Sequence, residues 1–169
     1  MSATPYKTKS AHLLAQLRQL IMAITVLVSS GIDAIAAEPL LHTVDGLAIA
    51  GYDPVSYQLA NGPVEGSEKI TAVQDGATYR FANDENRKTF VADAKRYQPQ
   101  FGGWCAYAMA DGEFVDVDPK TFKVIDQKLF LFYNGWLGNT LKKWNKNEVE
   151  LRTKAEKSWK RIVSERVGK

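Results

Sequence analysis

Sulfur chemistry in this chain rests on one cysteine, Cys105, which directly follows Gly102-Gly103 and Trp104. Paired glycines let a backbone turn tightly and come close to another group. Met109 lies four residues on, so a helical segment would turn both sulfurs to one side. Two soft ligands on one face suit monovalent copper. His42, the only histidine beyond the N-terminal leader, is the natural third ligand. The competing use of Cys105 and Met109 is as small and adaptable core residues, since free cysteine is among the most buried types. A histidine near a chain start is ordinarily just exposed. A third use of Cys105 is as a nucleophilic or redox thiol, for which His42 is the sole imidazole partner.

Tyr52, Asp53 and Tyr57 form a second cluster, on a turn punctuated by Gly51 and Pro54. Together with Tyr97 and Trp104 they could line a small polar pocket with an apolar wall. Aspartate before proline also commonly bonds its own backbone and so caps a turn. Asp116 and Asp118 alternate along an extended run, which marks the solvent face of a strand. The chain has no histidine-rich metal motif, phosphate-cradling glycine loop or dinucleotide fingerprint. A binding role is therefore expected ahead of catalysis.

The elements that must position these residues are legible in turns and periodicity. Ile70–Val73 and Thr78–Phe81 flank Asp75-Gly76, a signature of a tight hairpin. Asn83 is expected to cap a helix running to about Ala94, with Asp84 and Glu85 suiting its dipole. Trp104–Ala110 is apolar enough for a buried short helix or strand. Phe114–Val117 reads as a strand. Phe122–Ile125 and Leu129–Tyr133 form a second hairpin around Asp126-Gln127, with the aromatic second arm as a central strand. A long amphipathic helix spans about 145–165, capped by Asn145 with Glu148. Leu151, Ala155, Trp159, Ile162 and Val163 form its apolar face, expected to rest on the sheet. The predicted class is α+β: a small antiparallel sheet built from hairpins, with packed helices.

The first 37 residues read as a secretory leader. Lys7, Lys9 and Arg18 precede an apolar run from Leu20 to Val28, and Ala34-Ile35-Ala36 supplies a small-x-small cleavage pattern. Cleavage is expected after Ala36 or Ala37, since a spanning helix needs roughly 20 apolar residues. This predicts one domain over 38–169 and a periplasmic or secreted location. The leader carries Lys7, Lys9, Arg18 and Asp33, so the remainder holds 19 basic and 18 acidic side chains. So even a balance argues against nucleic-acid binding. Leu141–Lys169 is the exception, with 10 Lys/Arg against 4 Asp/Glu, and a basic helix there could touch an anionic membrane surface or an envelope partner.

Several segments in order resemble the YHS domain family, especially its longer exported members. They are Gly51-Tyr52-Asp53-Pro54-Val55-Ser56-Tyr57, Gly76-Ala77-Thr78-Tyr79-Arg80-Phe81, the helix ending in Phe90 and Tyr97, and Pro99-Gln100-Phe101-Gly102-Gly103-Trp104-Cys105-Ala106. Asp118-Pro119 and the LFLFY strand also fit. Short YHS domains look like metal-binding modules, with a cysteine after the aspartate-proline-valine and a cysteine pair four apart at the helix start. Ser56, Ala82 and Asn86 stand at those three places here. The resemblance thus implies the fold without that thiolate site. The expected function is an exported, non-enzymatic YHS-type binding module for a soft metal ion such as copper or for a small molecule. The alternatives are an envelope interaction protein using the basic helix and a thiol-dependent enzyme using Cys105.

Overall fold

The computed structural model describes residues 40–167. The leader and its expected cleavage point lie outside the described residues.

Two-residue turns organise the strands. Strand β1 (Thr43–Val44) turns at Asp45-Gly46 into β2 (Leu47–Ala48), and β3 (Ser67–Gln74) turns at Asp75-Gly76 into β4 (Ala77–Phe81). Asp75 and Gly76 have φ of 52° and 83°, the left-handed pair that matches the twist of a hairpin. These strands form one sheet in the order β1-β2-β4-β3, antiparallel except where β2 meets β4. A separate antiparallel pair joins β5 (Asp118–Ile125) to β6 (Lys128–Phe132) through Asp126 and Gln127, again both left-handed. A small hairpin follows, β7 (Asn134–Gly135) and β8 (Gly138–Asn139).

Helix α1 (Asp84–Ala92) starts as its sequence predicts, with the Asn83 side chain accepting the Asn86 N–H at 2.8 Å. Short helices α2 (Ala94–Tyr97), α3 (Ala106–Met109) and α4 (Thr140–Trp144) precede the long α5 (Glu148–Val167).

The predicted α+β class holds, and four local readings change. Phe114–Val117 joins no ladder, and the strand begins at Asp118. Asn145 ends α4 instead of capping α5, because Lys123 engages both Asn145 and Glu148. Asn147 directly precedes α5, and its side-chain amide donates to Glu150. The aromatic strand β6 is buried but pairs with β5 on one side only, touching a single bridge from Pro99 on the other. Helix α5 rests chiefly on α3.

Strand β6 divides the interior. Leu129 and Leu131 point into one cluster with Tyr79, Phe81 and Phe90. Phe130 and Phe132 point into another with Met109, Trp144, Ala155 and Ile162. Alternation along a strand sends successive side chains to opposite faces. With both faces covered, the apolar run of β6 needs no polar partner residues.

Candidate functional site

Cys105 precedes α3, and its N–H donates to Val115 O at 3.0 Å. Its side chain is fully buried. The sulfur receives the Tyr133 N–H at 3.4 Å and lies 3.4 Å from the Thr140 hydroxyl, which itself donates to Tyr133 O. The thiol therefore ties the end of β6 to the start of α4. Met109 donates its N–H to Cys105 O across one helical turn, and its side chain is sealed in the second core cluster.

His42 faces elsewhere. Its Nε2 lies 3.1 Å from Asp116 Oδ1, and its ring stands edge-on to Trp104 at 4.5 Å between centroids. Asp116 is exposed, so the pair sits at the rim. The double glycine has an internal reason. Gly102 has φ of +63°, and a Cβ there would lie 1.9 Å from Leu40 O. The close approach it permits is to the chain's own residues 40–42, sealed by the bond from His42 N–H to Gly102 O at 2.8 Å. None of the described clefts is lined by Cys105, Met109 or His42. Among the described residues no group of three His, Cys, Asp or Glu side chains is placed to hold a metal ion.

The second predicted cluster divides. Trp104 goes with His42 and Phe114, whereas Tyr52, Asp53, Tyr57 and Tyr97 stay on the side of the first core cluster. Asp53 is fully buried, and among the described residues no cation lies within ion-pairing reach of it. Hydrogen bonds satisfy it instead. Oδ1 accepts the Val55 N–H at 2.9 Å, and Oδ2 accepts the Ala82 N–H at 2.8 Å and the Asn86 amide at 2.6 Å. The Ser56 hydroxyl donates to Asp53 O at 2.6 Å and accepts the Val64 N–H at 3.0 Å. Ser56, Ala82 and Asn86, the three places where the resemblance puts cysteines, thus all bond Asp53, Ser56 at its main-chain carbonyl and the other two at its carboxylate.

The tyrosines are structural donors. The Tyr57 hydroxyl donates to Pro119 O at 2.8 Å, and the Tyr52 hydroxyl to Glu65 Oε1 at 3.0 Å. Burial, helped by the charge of Tyr52, Asp118 and Asp53, pushes the Tyr57 phenol well above its ordinary range and keeps it protonated. Asp118 goes the other way. Burial pushes its carboxyl up, but hydrogen bonds from the Lys120 N–H, the Thr121 hydroxyl and the Asn134 amide, with the Lys120 charge, hold it below the usual range.

An opening exists beside the Asp53 network. One cleft of about 440 Å³ has Val55, Asn86, Thr89 and Tyr97 among its walls. A second of about 460 Å³ includes Tyr57, Ala60, Val124 and Gln127. Both clefts share Gln58, Leu59 and Arg96. Gln58 fixes that junction, its amide donating to Arg96 O at 3.3 Å and Gln127 O at 3.1 Å. The Arg96 guanidinium lies over the Tyr97 ring at 5.4 Å, and no carboxylate among the described residues pairs with it. Of the expected pocket residues, Tyr57 and Tyr97 line this groove, while Asp53 supports it through Asn86. Sequence reasoning missed Gln58, Leu59, Asn86 and Arg96 as lining residues; the Arg96-Tyr97 pair was the one visible signal. No protein-family model, curated protein or solved structure matches the chain.

Proposed function

We propose that the chain is an exported, non-enzymatic binding module of YHS type whose ligand is a small anionic organic molecule held in the Gln58–Arg96 groove. The observation that carries this reading is a guanidinium with no carboxylate partner among the described residues, at the junction of two clefts and over an aromatic ring. Guanidinium forks recognise carboxylates and phosphates bidentately. Val55, Leu59 and Tyr97 supply apolar wall, and Gln58, Asn86 and Thr89 supply polar groups, the mixture small-ligand sites use; the Glu85 carboxylate also lines the cleft, so the ligand's acid group must lie on the Arg96 side.

The convergence of Ser56, Ala82 and Asn86 on Asp53 supports the YHS reading, because positions far apart in sequence meet as the resemblance implies. It also favours an organic ligand over copper there, since oxygen and amide groups replace thiolates. The buried, hydrogen-bonded Cys105 favours neither a metal nor a thiol enzyme. The test is a thermal-shift and calorimetric screen of the protein against small mono- and dicarboxylates and phosphate esters, with Arg96→Ala beside it. Tighter binding of one acid class by the unaltered protein, weakened at least about tenfold by Arg96→Ala, is expected for a lost charged hydrogen bond. No response to any member, or the same response from both proteins, sinks the proposal.

A further inference from the structure

An apolar protrusion lies on the segment between β6 and α5. The β7–β8 hairpin turns at Trp136-Leu137, whose side chains are 90% and 63% exposed. Trp136 is the most exposed large hydrophobic residue described. The hairpin that presents it is tied down. Both the Thr140 N–H and its hydroxyl donate to Tyr133 O at 3.0 Å, and the Leu137 N–H donates to the Tyr133 hydroxyl at 3.4 Å. Gly135 passes so close to the Tyr133 ring that a Cβ would lie 2.5 Å from its hydroxyl. At the base, Asn134 donates to Asp118. Neither tip side chain gains from folding, because apolar burial is what stabilises such groups.

Along the chain beside the tip the charge is one-signed, while across the sheet Asp118 sits at the hairpin base. From Lys128 to Asn147 the chain carries four lysines and no Asp or Glu. Asn139 closes the hairpin and caps α4, so Lys142 and Lys143 follow within about 5 Å of helical rise. Lys146 lies one turn on. All three are exposed. The Lys143 ammonium lies over the Tyr107 ring at 5.7 Å, and an anionic surface attracts such charges across a Debye length of roughly 8–10 Å. Indole rings favour the water–hydrocarbon boundary of a bilayer, and lysines beside it favour anionic headgroups.

We infer that the Trp136-Leu137 turn is a wedge that enters the headgroup boundary of an anionic phospholipid bilayer, with Lys142, Lys143 and Lys146 meeting the headgroup charge. This inference is independent of the groove around Arg96.

The test uses the full chain with vesicles of phosphatidylglycerol or phosphatidylcholine. The other tryptophans, Trp104, Trp144 and Trp159, are buried or half-buried, so a change in emission on lipid contact reports Trp136. Phosphatidylglycerol should shift the emission to the blue, brominated acyl chains should quench it, and added salt should reverse both. Trp136→Phe should abolish the shift and the quenching. Replacing the three lysines by glutamine should weaken partitioning about a hundredfold, at roughly fivefold per lysine. These changes touch only exposed side chains, so the fold is kept. Vesicle binding through another segment would leave Trp136 as open to acrylamide as in water, and that result overturns the inference. So would quenching that survives Trp136→Phe, or a blue shift with an isolated protein partner and none with lipid.

Discussion

The two sides of β6 bury polar atoms in opposite ways. On one side Asp53 is enclosed by three donors, and one of them, Asn86, also lines an open groove. On the other side Cys105 is enclosed by Tyr133 and Thr140, with no described cleft against it. Both groups are fully buried, so burial alone does not distinguish a site from a strut. What separates them is whether a neighbour one bond away lines a described cleft: Asn86 does, whereas the half-buried Tyr133 and Thr140 do not. The second side even leaves a polar atom unpaired: Trp144 Nε1 is the one buried side-chain N or O among the described residues without a partner.

The comparison breaks first at the aromatic residues that make each side a core. Phe81→Ala and Phe132→Ala should each cost about 3–5 kcal/mol in urea unfolding, the usual cost of emptying a buried aromatic site. If one were nearly neutral, the interior would not be two cores divided by β6. Asp53→Ala should cost about 3 kcal/mol, because the Ala82 N–H and the Asn86 amide lose their acceptor in the interior. Arg96→Ala, on the groove rim, should leave the unfolding midpoint unchanged.

Cys105→Ala should cost about 1–2 kcal/mol, a small cavity plus two weak sulfur contacts. Iodoacetamide should label Cys105 only as fast as the native state opens, since reactive thiolates need exposure. Copper(I) titration should give equal, weak binding for the unaltered protein and Cys105→Ser. Fast labelling, or copper binding lost with the sulfur, would restore the site predicted from Cys105, Met109 and His42.

The smallest effect concerns pH. The folded Asp118 carboxyl titrates below its unfolded range, so its contribution is present above that range and is lost as pH falls through the folded value. Asp118→Asn should therefore flatten the acid limb of stability by under about 1 kcal/mol, as expected for a partly solvated group. A steeper acid limb in the variant would contradict the hydrogen-bond account.

Much of the fold was legible because its causes are local. Asp75-Gly76 and Asp126-Gln127 need only their own φ angles to turn a chain, and Asn83 needs only the N–H three residues on. The misreadings came where a distant group intervened. Asn145 and Glu148 look like a cap until Lys123, more than 20 residues back, engages both. Gly102-Gly103 looks like a ligand approach until Leu40 occupies the space. Tyr57 and Tyr97 were found as site residues because aromatic groups near turns stand out. Gln58 and Leu59 were not, because nothing in their types distinguishes a groove wall from a loop.

Turn chemistry, capping and helical periodicity are written in neighbouring residues, and they determined the hairpins, α1 and the long amphipathic α5. Which buried heteroatom lies next to an opening was decided only in three dimensions. Solvent access depends on every chain segment that crosses a point: Tyr133 and Thr140, 28 and 35 residues beyond Cys105, close over the sulfur, while Gln58 and Arg96 leave a gap beside Asn86.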